Sequence, residues 1–181
     1  MDKTEHFDGV VNAVKQALEA CGWTYYVFDE ESMLFRFDLS IETRISRISY
    51  QVELRDYGEG LEDLVIYGIC PVSADCEDAG MTAQLAEFLH RVNYGVPNGC
   101  FEMDYTDGEI RYKSYISIMD HIPSAAVVKN SLLWVSSMFE MFGPGIADIV
   151  FAGCSAREAV EKCMQTLEDE TGEVFDLENI H

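Results

Sequence analysis

Residues 101–116 read FEMDYTDGEIRYKSYI, and the fold class turns on how they are read. Asp107-Gly108 stands between two runs rich in aromatic and β-branched residues. That is the composition of a two-residue type I′ hairpin turn, whose central positions both need a positive φ. Such a turn sets the register, so that Asp104 faces Arg111 and Glu102 faces Lys113. Both charge pairs then lie on one side of the ribbon. Phe101, Met103, Tyr105, Ile110 and Tyr112 lie on the other, and Ile116 continues that apolar face. One wet face and one dry face mark an antiparallel sheet covered on one side.

The same alternation recurs upstream. Between Ile45 and Asp56, Ile48, Tyr50, Val52 and Leu54 point one way, and Arg47, Ser49, Gln51, Glu53 and Arg55 the other. Met33, Phe35, Phe37 and Leu39 alternate before it, behind a β-rich Trp23–Phe28 and a turn at Asp29–Ser32. Leu64–Cys70 is an apolar strand stopped by Pro71. Helical spacing takes over elsewhere. Phe7, Val10, Val11, Val14 and Leu18 form a stripe in a helix from Glu5 to Cys21, and Leu85, Phe88, Leu89 and Val92 form one in a helix from Met81 to Asn93. A third helix spans Ser124–Phe142, is broken or kinked by Gly143-Pro144-Gly145, and resumes from Ile146 to Ala152. Ser155 with Glu158 makes a capping box that opens a last helix ending near Leu167. The order α-β(4)-α-β(2)-α-α predicts an α+β fold, an antiparallel sheet with helices packed on one face. It forms one domain over residues 1–168. Residues 169–181 form an acidic tail, expected to fray.

Composition narrows the partners. With 181 residues the chain can bury a core without staples. Its 33 acidic residues face 12 basic ones, a formal net charge of −21. Such a surface repels nucleic-acid phosphates and anionic lipid, favours solubility, and would attract basic peptides. The first residues, MDKTEHF, carry no signal-peptide pattern, and no run approaches the roughly 20 apolar residues of a membrane span. The six cysteines are irregularly spaced, which reads as free thiols in a reducing cytoplasm.

Recognisable chemistry is missing from the pattern. His6, His90, His121 and His181 stand apart, and Cys70 and Cys76 are not at metal-ligand spacing, so neither metal nor cofactor is expected. Gly143-Pro144-Gly145-Ile146-Ala147-Asp148 begins like a dinucleotide fingerprint but joins two helices where a strand must come first. Gly153-Cys154-Ser155 lacks the flanks of a nucleophile elbow. Acidic neighbours such as Glu30-Glu31 are expected by chance in so acidic a chain. No catalytic residue is nominated, and the chain reads as no enzyme. Tyr50 and Tyr112 could stack bases in principle, but they lie on the faces assigned to the core.

Leu89-His90-Arg91-Val92-Asn93-Tyr94, Gly99-Cys100-Phe101-Glu102, Asp107-Gly108-Glu109-Ile110-Arg111-Tyr112 and the long apolar helix with its Pro144 resemble the YbjN-like family, associated with bacterial sensory transduction. The resemblance runs over roughly residues 5 to 152. It implies a fold similar to type III secretion chaperones, small acidic α+β proteins that commonly dimerise and hold partner segments. No catalytic residue comes with it.

The function expected is therefore a protein-binding module, chaperone-like or regulatory. A small-ligand sensor with a pocket between sheet and helices, and an unrecognised enzyme, are the alternatives. The helix from Ser124 to Phe142 supplies the candidate surface. At 100° steps its apolar arc runs from Met141 and Trp134, through Met138, to Phe139 and Leu132, wider than docking on one sheet requires. Leu132, Trp134, Met138 and Met141 are accordingly the expected partner surface, and a homodimer its expected use.

Overall fold

The computed structural model describes residues 2–58, 60–119 and 121–172. Its elements are α1 (Lys3–Ala20), β1 (Val27–Asp29), β2 (Leu34–Ser40), β3 (Arg47–Asp56), β4 (Leu61–Ile69), α2 (Ala79–Gly95), β5 (Cys100–Met103), β6 (Ile110–Ser117), α3 (Ala125–Ala152) and α4 (Ala156–Thr171). This is the expected order. The capping box is present, and Asp78 caps α2 through the Met81 N–H. The last helix runs past Leu167, and the tail from residue 173 onward lies outside the described residues.

The six strands form one antiparallel sheet in the order β1-β2-β3-β4-β6-β5. Tyr50, Val52 and Leu54 of β3 align with Gly68, Ile66 and Leu64 of β4, and these with Tyr112, Ser114 and Ile116 of β6. That row of side chains is the floor of the core. Gly68 makes the long helix possible: a Cβ there would come within 2.5 Å of Val135 and 2.9 Å of Phe139. So α3 lies directly across the centre of the sheet, with α1 and α2 beside it and α4 stacked on α2 and α3. Tyr50 donates from its buried hydroxyl to the Leu132 carbonyl at 2.8 Å, and burial pushes its pKa up.

The hairpin departs from expectation. Glu102 pairs with Arg111 and Met103 with Ile110, a register two residues away from that of a two-residue turn. The connection is a longer loop, because side chains and a neighbouring segment close it. The Asp104 carboxylate accepts from the Thr106 N–H at 2.7 Å and that of Asp107 from the Glu109 N–H at 3.0 Å. Gly108, at φ 76°, lies against the 70s loop, where its carbonyl accepts from the Ala74 N–H at 2.9 Å. An even shift keeps each side chain on its face. It does change the partners: Glu102 now takes both Arg111 and Lys113, while Tyr105, expected in the core, sits on the loop at 65% exposure.

The third helix is not interrupted. α3 continues through Pro144, and the carbonyl that loses its intrahelical donor belongs to Glu140, an exposed residue. The glycines beside it serve packing. A Cβ on Gly145 would stand 2.5 Å from the Phe88 ring and 3.0 Å from the Cys163 sulfur. Contrary to the reading that no such run exists, α3 is long and apolar enough to span a membrane by length and composition. Yet 56% of that window is buried inside the fold, so its apolarity belongs to the core.

The two sheet edges differ. On β5 the side chain of Asn93, at the end of α2, donates to the Phe101 carbonyl at 2.9 Å and accepts its N–H at 2.7 Å. One amide thus occupies the outward backbone groups as a neighbouring strand would.

Candidate partner-binding groove

A helix laid across a sheet turns one stripe down and leaves others to be covered by whatever lies beside it. In α3, Val128, Leu132, Val135 and Phe139 turn down and are fully buried. Asn130, Trp134, Met141 and Asp148 lie along a groove, a span of roughly 27 Å at the helical rise. Segment 96–98, α4 and the loop 40–44 form its walls. Three depressions lie side by side there with walls in common, Pro97 and Trp134 between one pair, Met141 and Leu167 between the other.

The middle depression, about 220 Å³, is apolar. Val96, Pro97, Trp134, Met138, Met141 and Met164 line it. Trp134 is held by its indole N–H, which is 2.9 Å from the Asn98 carbonyl and 3.0 Å from the Tyr112 hydroxyl. Burial drives the Tyr112 phenol up to about 12, so it stays a neutral hydrogen-bonding group. The largest depression, about 980 Å³, opens between loop 40–44 and α4. Asp148, its side chain 16% exposed, accepts from Arg44 and, at 3.1 Å, from Lys162. That carboxylate raises the Lys162 pKa. Cys163 lies in the wall, its thiol pushed to about 11 by burial. The groove therefore offers a soft apolar centre of Trp and Met and one mixed-charge end. It can take apolar side chains of a partner segment and hold its polar backbone or charged flank at that end.

Of the four residues expected on this surface, Trp134 and Met141 line the groove half-buried, and Met138 forms its floor at 2% exposure. Leu132 does not belong: it is 0% exposed and faces the sheet. The arc was wide because the helix is buried on two sides. Val96, Pro97, Met164, Leu167 and Arg44 escaped sequence reasoning, since they reach the groove from three separate segments. Val160, Met164 and Leu167, spaced at i, i+4 and i+7, were the available signal. His6 places Nε2 3.2 Å from the His121 carbonyl, His90 is exposed, and His181 lies outside the described residues.

A family model named YbjN, with the description "Putative bacterial sensory transduction regulator", matches residues 11–148. No curated protein matches the chain in sequence. Two solved structures are similar in fold. One is the HopA1–SchA chaperone–effector complex, at a TM-score of 0.48 and 14% identity, covering 77% of this chain and 95% of that one. The other is the ExoT–SpcS complex from Pseudomonas aeruginosa, at a TM-score of 0.44 and 13% identity, covering 74% and 95%.

Proposed function

The chain belongs to the YbjN family, and we propose that it acts there as a non-catalytic protein-binding module that holds a segment of a partner protein in the groove along α3. The observation that carries this reading is the row of adjoining depressions along α3. Half-buried Trp134 and Met141, over a floor of buried Met138 and Met164, form an apolar trough with a polar depression beside it. Trp and Met side chains left partly in water, as Trp134 and Met141 are, are enriched where partners dock. A regulatory role, in line with the family's description, follows if the bound segment belongs to a signalling protein, and a holding role follows if it belongs to one still unfolded.

The reading is tested by capture from the native cell with wild type and with Met141→Arg. A defined protein, retained by wild type and lost with the variant at unchanged melting temperature, is the expected result. The partner's segment is then titrated directly against both proteins. Equal retention by both, or retention of a small molecule alone, overturns it.

A further inference from the structure

The sheet face turned away from the helices differs in charge from the rest of the molecule. Arg36, Arg47, Arg55, Arg111 and Lys113 all point from it, five of the twelve basic residues of the chain. Asp29, Asp38, Glu53, Asp63 and Glu102 share the face, with Glu109 at its margin 3.8 Å from Arg111, so its charges nearly cancel, five basic against six acidic, and little of the net excess lies on it. They are also paired in place: Arg47 with Asp38 at 3.9 Å, Arg55 with Glu53 at 3.1 Å, Arg111 with Glu102 at 2.9 Å. An apolar strip runs through them. Val65 and Tyr67 lie in its centre, both buried beneath their neighbours, the Tyr67 ring 4.6 Å from the Arg111 guanidinium and 5.9 Å from that of Arg55. Beside them Tyr115 is 62% exposed, and Val27, on the edge strand, 65%.

We infer that this open face is the contact between two copies of the chain, packed sheet on sheet. Charge selects the occupant. At physiological ionic strength fields fade over roughly 8 Å, so the surfaces that meet decide the encounter, not the net charge. Outside this face 28 or fewer acidic residues stand against seven basic ones, so most other contacts between two copies meet an acidic excess. The open face brings nearly neutral against nearly neutral, with both signs present to be matched across a two-fold axis. A basic partner is drawn to the acidic surfaces instead. The area agrees. Six strands at about 4.8 Å spacing and about seven residues of 3.3 Å rise cover roughly 650 Å² per copy. Doubled, this is about 1,300 Å², at the low end of specific interfaces, and gives a reversible dimer.

Sedimentation equilibrium between about 1 and 100 μM protein tests the inference, since a micromolar association is resolved in that range. The expected result is a monomer–dimer equilibrium that changes little with added salt. Tyr115→Glu weakens it at least tenfold with an unchanged melting temperature, and Trp134→Glu in the groove leaves it intact. Should Tyr115→Glu disturb the sheet, Tyr115→Ser removes the ring without adding charge and is expected to weaken the dimer likewise. A wild type that stays monomeric throughout overturns the inference, as does a dimer indifferent to a folded Tyr115 variant or lost with Trp134→Glu.

Discussion

Asn93 replaces a strand with one side chain. Its amide closes the outward N–H and C=O of Phe101, groups that would otherwise be half-buried and unpaired at the edge of β5. Asn93→Ala is expected to cost about 2 kcal/mol, two neutral hydrogen bonds with little else lost, read from urea unfolding. A cost under about half a kcal/mol would mean that water closes the edge equally well. Glu102 is the second residue with a checkable role. Burial acts to raise its pKa, but hydrogen bonds from Lys113 and Arg111 outweigh that and hold it low. A carboxylate lowered in the folded state contributes stability above its unfolded pKa and loses it as pH falls through the folded value. Glu102→Gln should therefore cost about 1 kcal/mol near neutrality, a partly exposed pair being discounted for screening. The deficit should shrink once pH drops below about 4, where an unfolded Glu is protonated. A deficit that stays constant from neutral pH to acid would assign the cost to packing. That Glu102 shares a face with Lys113 was legible in the sequence, but not that it stands opposite Arg111, with Lys113 reaching it diagonally. The Asn93 bonds were not legible at all, because only the fold brings a helix end beside a strand edge.

Elements were legible wherever period and polarity agreed, as in β3, whose alternation appears residue for residue in its burial. They misled where a local signal had a tertiary competitor. Asp107-Gly108 has the composition of a tight turn, yet Ala74 captures the Gly108 backbone and the loop widens around it. Gly143-Pro144-Gly145 has the composition of a helix break, yet both glycines are buried contacts of one continuous helix. The two glycines should answer differently to alanine. Helix propensity favours the change by about 1 kcal/mol at either position. At Gly143 the new methyl meets Ile45 Cδ1 at 2.7 Å, the mobile tip of a flexible side chain. At Gly145 it meets the Phe88 ring at 2.5 Å with Cys163 behind it, and a ring locked in the core cannot step aside. Gly143→Ala is expected to change stability by less than about 1 kcal/mol, and Gly145→Ala to lose 1–3 kcal/mol by overpacking. Chemical denaturation of the two variants in parallel decides it, and equal losses would refute the difference in yielding.

At the scale of the whole molecule, the sequence shows how much charge there is and the fold shows where. Strand alternation already placed Arg47, Arg55 and Glu53 on a polar face, but the register and strand order were needed to see that its charges nearly cancel. The groove was half legible for the same reason: Trp134 and Met141 belong to one helix and could be read from it, whereas its walls come from α4 and two loops. The uneven distribution has a thermodynamic consequence. An excess of −21, little of it on the open sheet face, repels itself in the folded state and relaxes when the chain unfolds. Raising NaCl from about 0.01 to 0.15 M shortens the Debye length from roughly 30 to 8 Å and removes most of that repulsion. The ion pairs of the open face lose strength too, but they are short and partly shielded, and surface pairs contribute little to begin with. Relief of repulsion should win, and the melting temperature should rise by about 2–6 °C, the shift produced by roughly 1–2 kcal/mol in a domain of this size. Thermal melts followed by circular dichroism at submicromolar protein keep the copies apart, so that any gain belongs to the monomer. A melting temperature that falls with salt over this range would show that local pairing, not the net charge, governs the electrostatics of the fold.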